Sequence, residues 1–215
     1  MSSHHFVKDG QEPALVIANG EMCAYEILTS LMEWCPYMVV CDGAYTRIKN
    51  LQITPDVVIG DFDSLENVGR ELHTQYIHLE DQETTDLEKA IDHLVEKGYT
   101  DINVIWASGK RLDHTINNFA TLAKYFEIRI VLIDDYSRSF ILPKNYNKRY
   151  EKGQALSLVP IHTCSGITTQ NLKYNLDNET LSFGKRSGTS NEATGSGLVE
   201  ICHTSGLLAL IESTD

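Results

Sequence analysis

The chain has no basic excess. Its 215 residues hold 18 Lys and Arg against 30 Asp and Glu, a formal charge of −12. A protein that grips nucleic acid displaces counterions from phosphates with a basic surface; this composition offers none, so no nucleic-acid partner is expected. Paired cysteines are missing too. Cys23, Cys35, Cys41, Cys164 and Cys202 are odd in number and form no CxxC. That argues against a disulfide framework or a structural zinc and for free thiols in a reducing compartment. No apolar run approaches the ~20 residues that span a bilayer, and Met1 to Pro13 is polar, unlike a secretory leader. The expectation is a soluble, cytoplasmic protein with no membrane partner. GxxxxGK[ST] is absent, which excludes a P-loop enzyme. Asn19-Gly20-Glu21 after the first strand is not GxGxxG, and no GxSxG elbow occurs. The eight histidines do not cluster at metal spacing, and there is no internal repeat or low-complexity tract.

What is present suits a folded core: 42% hydrophobic and 22% charged residues. Short β-branched runs alternate with helical patterns through the first two thirds. Strands are expected over Ala14 to Ala18, Met38 to Cys41, Asp56 to Ile59, Gln75 to Leu79, Ile102 to Ala107 and Ile128 to Ile133. Helices are expected over Met22 to Trp34 and Tyr45 to Leu51. Two further helices show apolar periodicity. One carries Leu87, Ala90, Ile91, Leu94 and Val95 as a single stripe and closes at Gly98; the other carries Ile116, Phe119, Ala120 and Ala123. Continuous apolar strands separated by helices imply a mostly parallel, Rossmann-like α/β sheet covered on both faces. Beyond Pro143 only short β-type runs follow (Ala155 to Val159, Gly166 to Thr169, Thr180 to Phe183, Leu198 to His203, Leu207 to Ile211), with turn-rich stretches at Tyr174 to Glu179 and Gly184 to Gly197. This predicts a smaller C-terminal β-sandwich, and domains of 1–142 and 143–215.

Ligands of open α/β sheets bind beyond the carboxyl ends of the strands. Four successive exits carry acids: Asp42; Asp61 and Asp63; Asp86, preceded by Thr84 and Thr85; and Asp113, beside Arg111. In an extended Gly60-Asp61-Phe62-Asp63-Ser64, Asp61 and Asp63 would face one side together, with Phe62 turned inward. Two carboxylates so close repel unless a cation intervenes, and Mg²⁺ takes one or two carboxylates while bridging to phosphates. The same residues also suit an Asx turn. Thr85 and Glu88 fit a capping box. Lys89 in that helix's first turn opposes the helix dipole, which a fixed anion would justify; a solvated Asp86–Lys89 pair is the alternative. Asp113 reads as an N-cap, and Arg111 as a phosphate clamp.

Taken in order, these segments resemble the thiamin pyrophosphokinase family. The match runs through Cys41-Asp42-Gly43-Ala44, Pro55-Asp56, Ile59 to Ser64, Thr84 to Ala90 and Arg111-Leu112-Asp113-His114. It continues in Ser157 to Pro160, Gly166 to Thr169 and Gly188-Thr189-Ser190-Asn191-Glu192. The resemblance implies Mg²⁺-dependent transfer of diphosphate from ATP to thiamin by a homodimer, with thiamin near the subunit interface. It implies Asp61, Asp63 and Asp86 as metal acids. Asp42, Gln82, Thr84, Thr85, Lys89, Arg111 and Asp113 would line the ATP and phosphate region, and Ser190 and Asn191 would bind thiamin from the partner subunit. Lys89 and Arg111 would stabilise charge on the leaving side. Two positions depart from the family pattern. Ala193 stands where an aromatic residue is frequent, with Tyr45 a candidate replacement, and Lys110 stands where glycine is usual. A metal-dependent nucleotide pyrophosphohydrolase and a non-enzymatic nucleotide-binding regulatory module are the alternatives.

Overall fold

The structure is a computed structural model that describes residues 12–63, 65 and 69–214; Ser64 and the segment before Glu12 lie outside it. The described residues divide into two compact units, 12–121 with 128–134, and 122–127 with 135–214.

The first unit runs β1 (Ala14–Ile17), α1 (Tyr25–Trp34), β2 (Met38–Cys41), α2 (Asp42–Asn50), β3 (Val57–Gly60), β4 (Gln75–His78), α3 (Asp86–Glu96), β5 (Asp101–Ile105), α4 (Leu112–Lys124) and β6 (Arg129–Ile133). Its six strands lie in the order β4-β3-β2-β1-β5-β6, every neighbouring pair parallel. β1, β2 and β3 are buried at every position, because helices cover a parallel sheet on both faces and leave no solvated side. β4 is the edge, and its residues are accordingly half-buried or exposed. The chain builds outward from β1 to β4, then returns to place β5 on the other side of β1.

α3 shows how local sequence sets an element. The Thr85 side chain accepts from Glu88 N, and the Glu88 carboxylate accepts from Thr85 N at 3.0 Å, so the capping box is complete. Leu87, Ala90, Ile91 and Leu94 face the core as expected. Val95, however, is 42% exposed, and the buried face takes in Lys89 instead. Thr85→Ala removes one half of the box; urea unfolding should show a loss of about 1 kcal/mol.

α4 departs further. Ile116 is 60% exposed, and Ala120 is also exposed; the face turned inward carries Asn118, Thr121 and Leu122. The expected stripe is split, with Phe119 and Ala123 half-buried, and the inward polar side chains have partners: Asn118 Nδ2 donates to the Ala107 carbonyl at 2.8 Å and Thr121 Oγ1 to the Asn117 carbonyl of its own helix at 3.0 Å. Asp113 lies within the first helical turn rather than capping it. α1 begins at Tyr25, leaving Met22 outside the helix.

The second unit is all antiparallel: β7 (Ser137–Ile141), β8 (Asn145–Tyr150), β9 (Ala155–Gln170), β10 (Glu179–Ser182), β11 (Gly188–Glu192), β12 (Gly197–Cys202) and β13 (Ser205–Ser213). β9 joins into one strand the two runs expected separately. It bends where His162 (φ 60°) and Gly166 (φ 66°) enter left-handed space, and it changes partners there. Leu156 and Leu158 pair with β11 and β13, whereas Thr168, Thr169 and Gln170 pair with β12. β11 fills part of the stretch expected as turns, with a register shift between Gly188 and Asn191. β7 and β8, unforeseen, carry mostly exposed or half-buried side chains, so their sequences offer little apolar alternation to read. No helix among the described residues is long and apolar enough to cross a membrane.

Candidate functional site

β2, β3 and β4 are neighbours, so their carboxyl ends open on one stretch of sheet edge. Asp42 is the first residue of α2, directly after β2, and is 3% exposed. Its Oδ2 accepts from Phe62 N at 2.9 Å. Gly60 at the end of β3 makes this approach possible: a Cβ there would stand 2.6 Å from Asp42 Cγ. Burial pushes the Asp42 carboxyl up to about 6, and the nearby charges of Asp86 and then Asp61 push the same way, against bonds from the Gly43 and Phe62 amides. Acids from two other strand exits thus act on Asp42.

The Asp61–Asp63 segment is not extended. Phe62 has φ 64°, and Asp63 N donates back to Asp61 Oδ1 at 3.3 Å. The Asx-type turn and the shared site are both present, because Asp61 and Asp63 line one cavity of about 520 Å³ with Phe62, Arg70, His78, Glu80 and Gln82. The bond from Asp63 N holds Asp61 below the usual carboxylate range; the Gln82 amide (Nε2 to Oδ2, 3.3 Å) and the Lys89 charge contribute as well. Phe62 is not an inward anchor. Its ring stacks on His78 (5.2 Å between centroids, 20° between planes) and meets Tyr76 edge-on.

On the α3 side, Lys89 is 6% exposed. Its ammonium donates to Asp86 Oδ1 and to the Leu79 carbonyl, both at 3.3 Å, so the cation is buried with partners rather than solvated. Thr84 is tied to Asp81 through both its amide (3.1 Å) and its hydroxyl. Thr85 is occupied in the capping box.

Arg111 and Asp113 do not line the cavity. They form a two-bond ion pair with each other, at side-chain exposures of 70% and 62%. The reason is strand order: they follow β5, which β1 separates from β2, so the two exits are about 10 Å apart at ~4.8 Å per strand. Lys110, in the glycine position, has φ 53°, the left-handed conformation glycine adopts freely. Tyr45 offers no free ring. It is 1% exposed, edge-on to Tyr76, and shares a 2.7 Å hydroxyl bond with it.

In the second unit, Ser190 is exposed with φ 58°, and its amide donates to Ser157 Oγ at 3.1 Å. Asn191 is 4% exposed. Its Oδ1 accepts from the amides of Tyr174 and Glu192, both at 3.0 Å, and its Nδ2 donates to the Tyr174 carbonyl at 2.9 Å. This amide fixes the Tyr174 loop and β11 locally.

Among the described residues, no three His, Cys, Asp or Glu side chains converge closely enough to enclose a metal ion. The donor chemistry nonetheless fits a hard divalent cation. Carboxylate oxygens lie at neighbouring strand ends, and the Asp42 carboxyl is raised first by burial and then by the charges of Asp86 and Asp61, charges that a cation would offset. Sequence reasoning missed Arg70, His78 and Glu80 as cavity residues. Glu80 lies in the β4 exit and was open to the same logic, whereas Arg70 and His78 carry no motif.

The thiamin pyrophosphokinase catalytic domain model matches residues 28–132, and the thiamin pyrophosphokinase vitamin B1 binding domain model matches residues 144–208. Thiamine pyrophosphokinase 1 of Arabidopsis thaliana is 34% identical over 217 residues, covering 85% of this chain and 79% of the relative. Thiamine pyrophosphokinase 1 of Oryza sativa is also 34% identical, over 161 residues; the match covers 66% of this chain and 60% of that relative, less than two thirds of its length. The solved thiamin pyrophosphokinase of Geobacillus thermodenitrificans superposes with a TM-score of 0.81 at 26% identity, covering 94% of this chain and 97% of that one. The yeast enzyme, at 17% identity, shares the fold with a TM-score of 0.79, covering 96% and 87%. Fold and site define a mixed α/β protein with an acidic pocket at the ends of parallel strands. The chain belongs to the thiamin pyrophosphokinase family.

Proposed function

We propose that the chain works as its family name describes, as a thiamine diphosphokinase that moves diphosphate from ATP to the hydroxyl of thiamin and releases AMP. The observation that carries the reading is the gathering of Asp42, Asp61 and Asp86 at neighbouring strand exits, with Asp61 opening into the 520 Å³ cavity. The hydroxyl oxygen attacks the β-phosphorus, the bridge from the α-phosphorus breaks toward AMP, and the hydroxyl proton passes to a carboxylate of the cluster. Phosphoryl transfer of this kind is mostly positioning and charge neutralisation. Asp61, Asp63 and Asp86 would hold Mg²⁺, which neutralises phosphate charge when bound. Gln82 lines the cavity, and Asp42, Thr84 and Thr85 would complete the nucleotide side. Lys89, fixed between Asp86 and the Leu79 carbonyl, places its charge beside the acids. An exposed ion pair contributes only about 0–1 kcal/mol, so a phosphate can draw Arg111 from Asp113.

We assign catalysis to residues 1–142 and thiamin binding, through Ser190 and Asn191, to residues 143–215. The two domain-model matches support this division. The bend in β9, with different partners on either side, supports folding of the antiparallel part as a sandwich. A homodimer in the cytoplasm, with thiamin near the subunit interface, completes the reading.

The test is incubation with ATP, Mg²⁺ and thiamin, followed by phosphorus NMR. AMP formed together with thiamin diphosphate, and only when thiamin is present, is the expected result. AMP released at the same rate without thiamin would make the protein a hydrolase, and tight ATP binding without turnover would make it a regulatory module.

A further inference from the structure

Three cavity side chains, Arg70, His78 and Glu80, are used by neither the sequence motifs nor the mechanism above. Arg70 is the only Lys or Arg among the cavity's described residues, which also include the acids Asp61, Asp63 and Glu80. Its guanidinium lies over the rings of Tyr76 (5.0 Å) and Phe62 (5.8 Å), and it makes no hydrogen bond to a described residue. The backbone on both sides is pinned. Lys49 Nζ donates to the Gly69 carbonyl at 2.5 Å and pairs with Glu71 Oε1 at 3.2 Å, while Glu71 N donates to Tyr76 Oη at 2.8 Å. Tyr76 is itself held by Tyr45. The aromatic faces therefore support the planar group without using its N–H donors, which leaves a preset fork facing a cavity of acids.

We infer that Arg70 anchors the β- and γ-phosphates of the nucleotide, the diphosphate that is transferred. This rests on the diphosphate-transfer reading. A divalent cation offsets two of the three cavity carboxylates. The phosphates then need a further positive group, and Arg70 is the one that lines the cavity. A guanidinium fork matches two phosphate oxygens in one plane.

The test compares wild type, Arg70→Ala and Arg70→Lys. Calorimetry uses inorganic pyrophosphate with Mg²⁺ as the probe, and steady-state kinetics supply KM for ATP and for thiamin. Arg70→Ala should weaken pyrophosphate binding and raise KM for ATP by roughly 10- to 100-fold. KM for thiamin and the thermal midpoint should hold, and Arg70→Lys should restore part of the affinity. Unchanged pyrophosphate affinity in Arg70→Ala overturns the inference. So does a loss shared equally by thiamin and the thermal midpoint that lysine does not repair, which marks a structural role. If the wild type binds pyrophosphate through Arg70 yet makes no thiamin diphosphate, the reaction assignment fails and the anchor stands.

Discussion

Asp63→Asn should lower thiamin diphosphate formation at least 100-fold while leaving the unfolding midpoint where it is. The two halves of the expectation have separate causes. Asp63 is exposed, and its bond within the turn comes from its backbone amide, which asparagine keeps. Its carboxylate lines the cavity beside Asp61, where on the proposed function it would hold a cation against phosphate. Removing one such electrostatic group from an active site typically raises the barrier by ~3–4 kcal/mol. Initial rates with ATP, Mg²⁺ and thiamin, measured alongside thermal unfolding, decide the matter. A variant with near-wild-type rate would remove Asp63 from the site.

Asp42→Asn should do the opposite to stability. Folding raises this carboxyl from 3.8 to about 6, chiefly through burial, with the charges of Asp86 and Asp61 adding to it. Above pH 6 the folded protein therefore carries an anion that its surroundings disfavour. As pH falls below 6 the native side chain takes its proton before the unfolded chain does, and the penalty fades; by 3.8 it is largely gone. Asparagine retains an acceptor for Phe62 N and removes the charge. Urea unfolding should then show a gain of about 1–3 kcal/mol at pH 8, after allowing for partial solvent screening, and almost none at pH 4. Activity at pH 8 should fall if, as proposed, this carboxylate faces the nucleotide. A stability change of the same size at both pH values would show that ionisation of Asp42 is not the source.

Much of the fold is legible in the sequence. Buried strands declared themselves by uninterrupted β-branched runs, and the Thr85–Glu88 box wrote the start of α3 into four residues. What escaped did so for physical reasons. α4 was read by hydrophobicity alone, but Asn118 and Thr121 are buried because backbone carbonyls lie within their reach. Periodicity cannot register such partners. β9 was split because an exposed His162 and a glycine interrupt its apolar pattern, although backbone pairing continues through them. For Lys89 the sequence leaves a fixed anion and a solvated pair with Asp86 both open, and only the Leu79 carbonyl and Asp86 around its ammonium show that it is buried.

The sequence by itself determined which strand exits carry acids, because side-chain type and strand ends are both local properties. It also determined the family, through the order of several short motifs. Only the tertiary structure decided which exits meet. Chain order runs β2, β3, β4, β5, but the sheet seats β1 between β2 and β5. Asp61 and Asp86 therefore act on Asp42, while Arg111 and Asp113 pair with each other two strands away. Arg70 and His78 enter the cavity through packing on Phe62 and Tyr76. Strand order and ring packing are set by the cheapest burial of the whole core, and no local window of residues contains them.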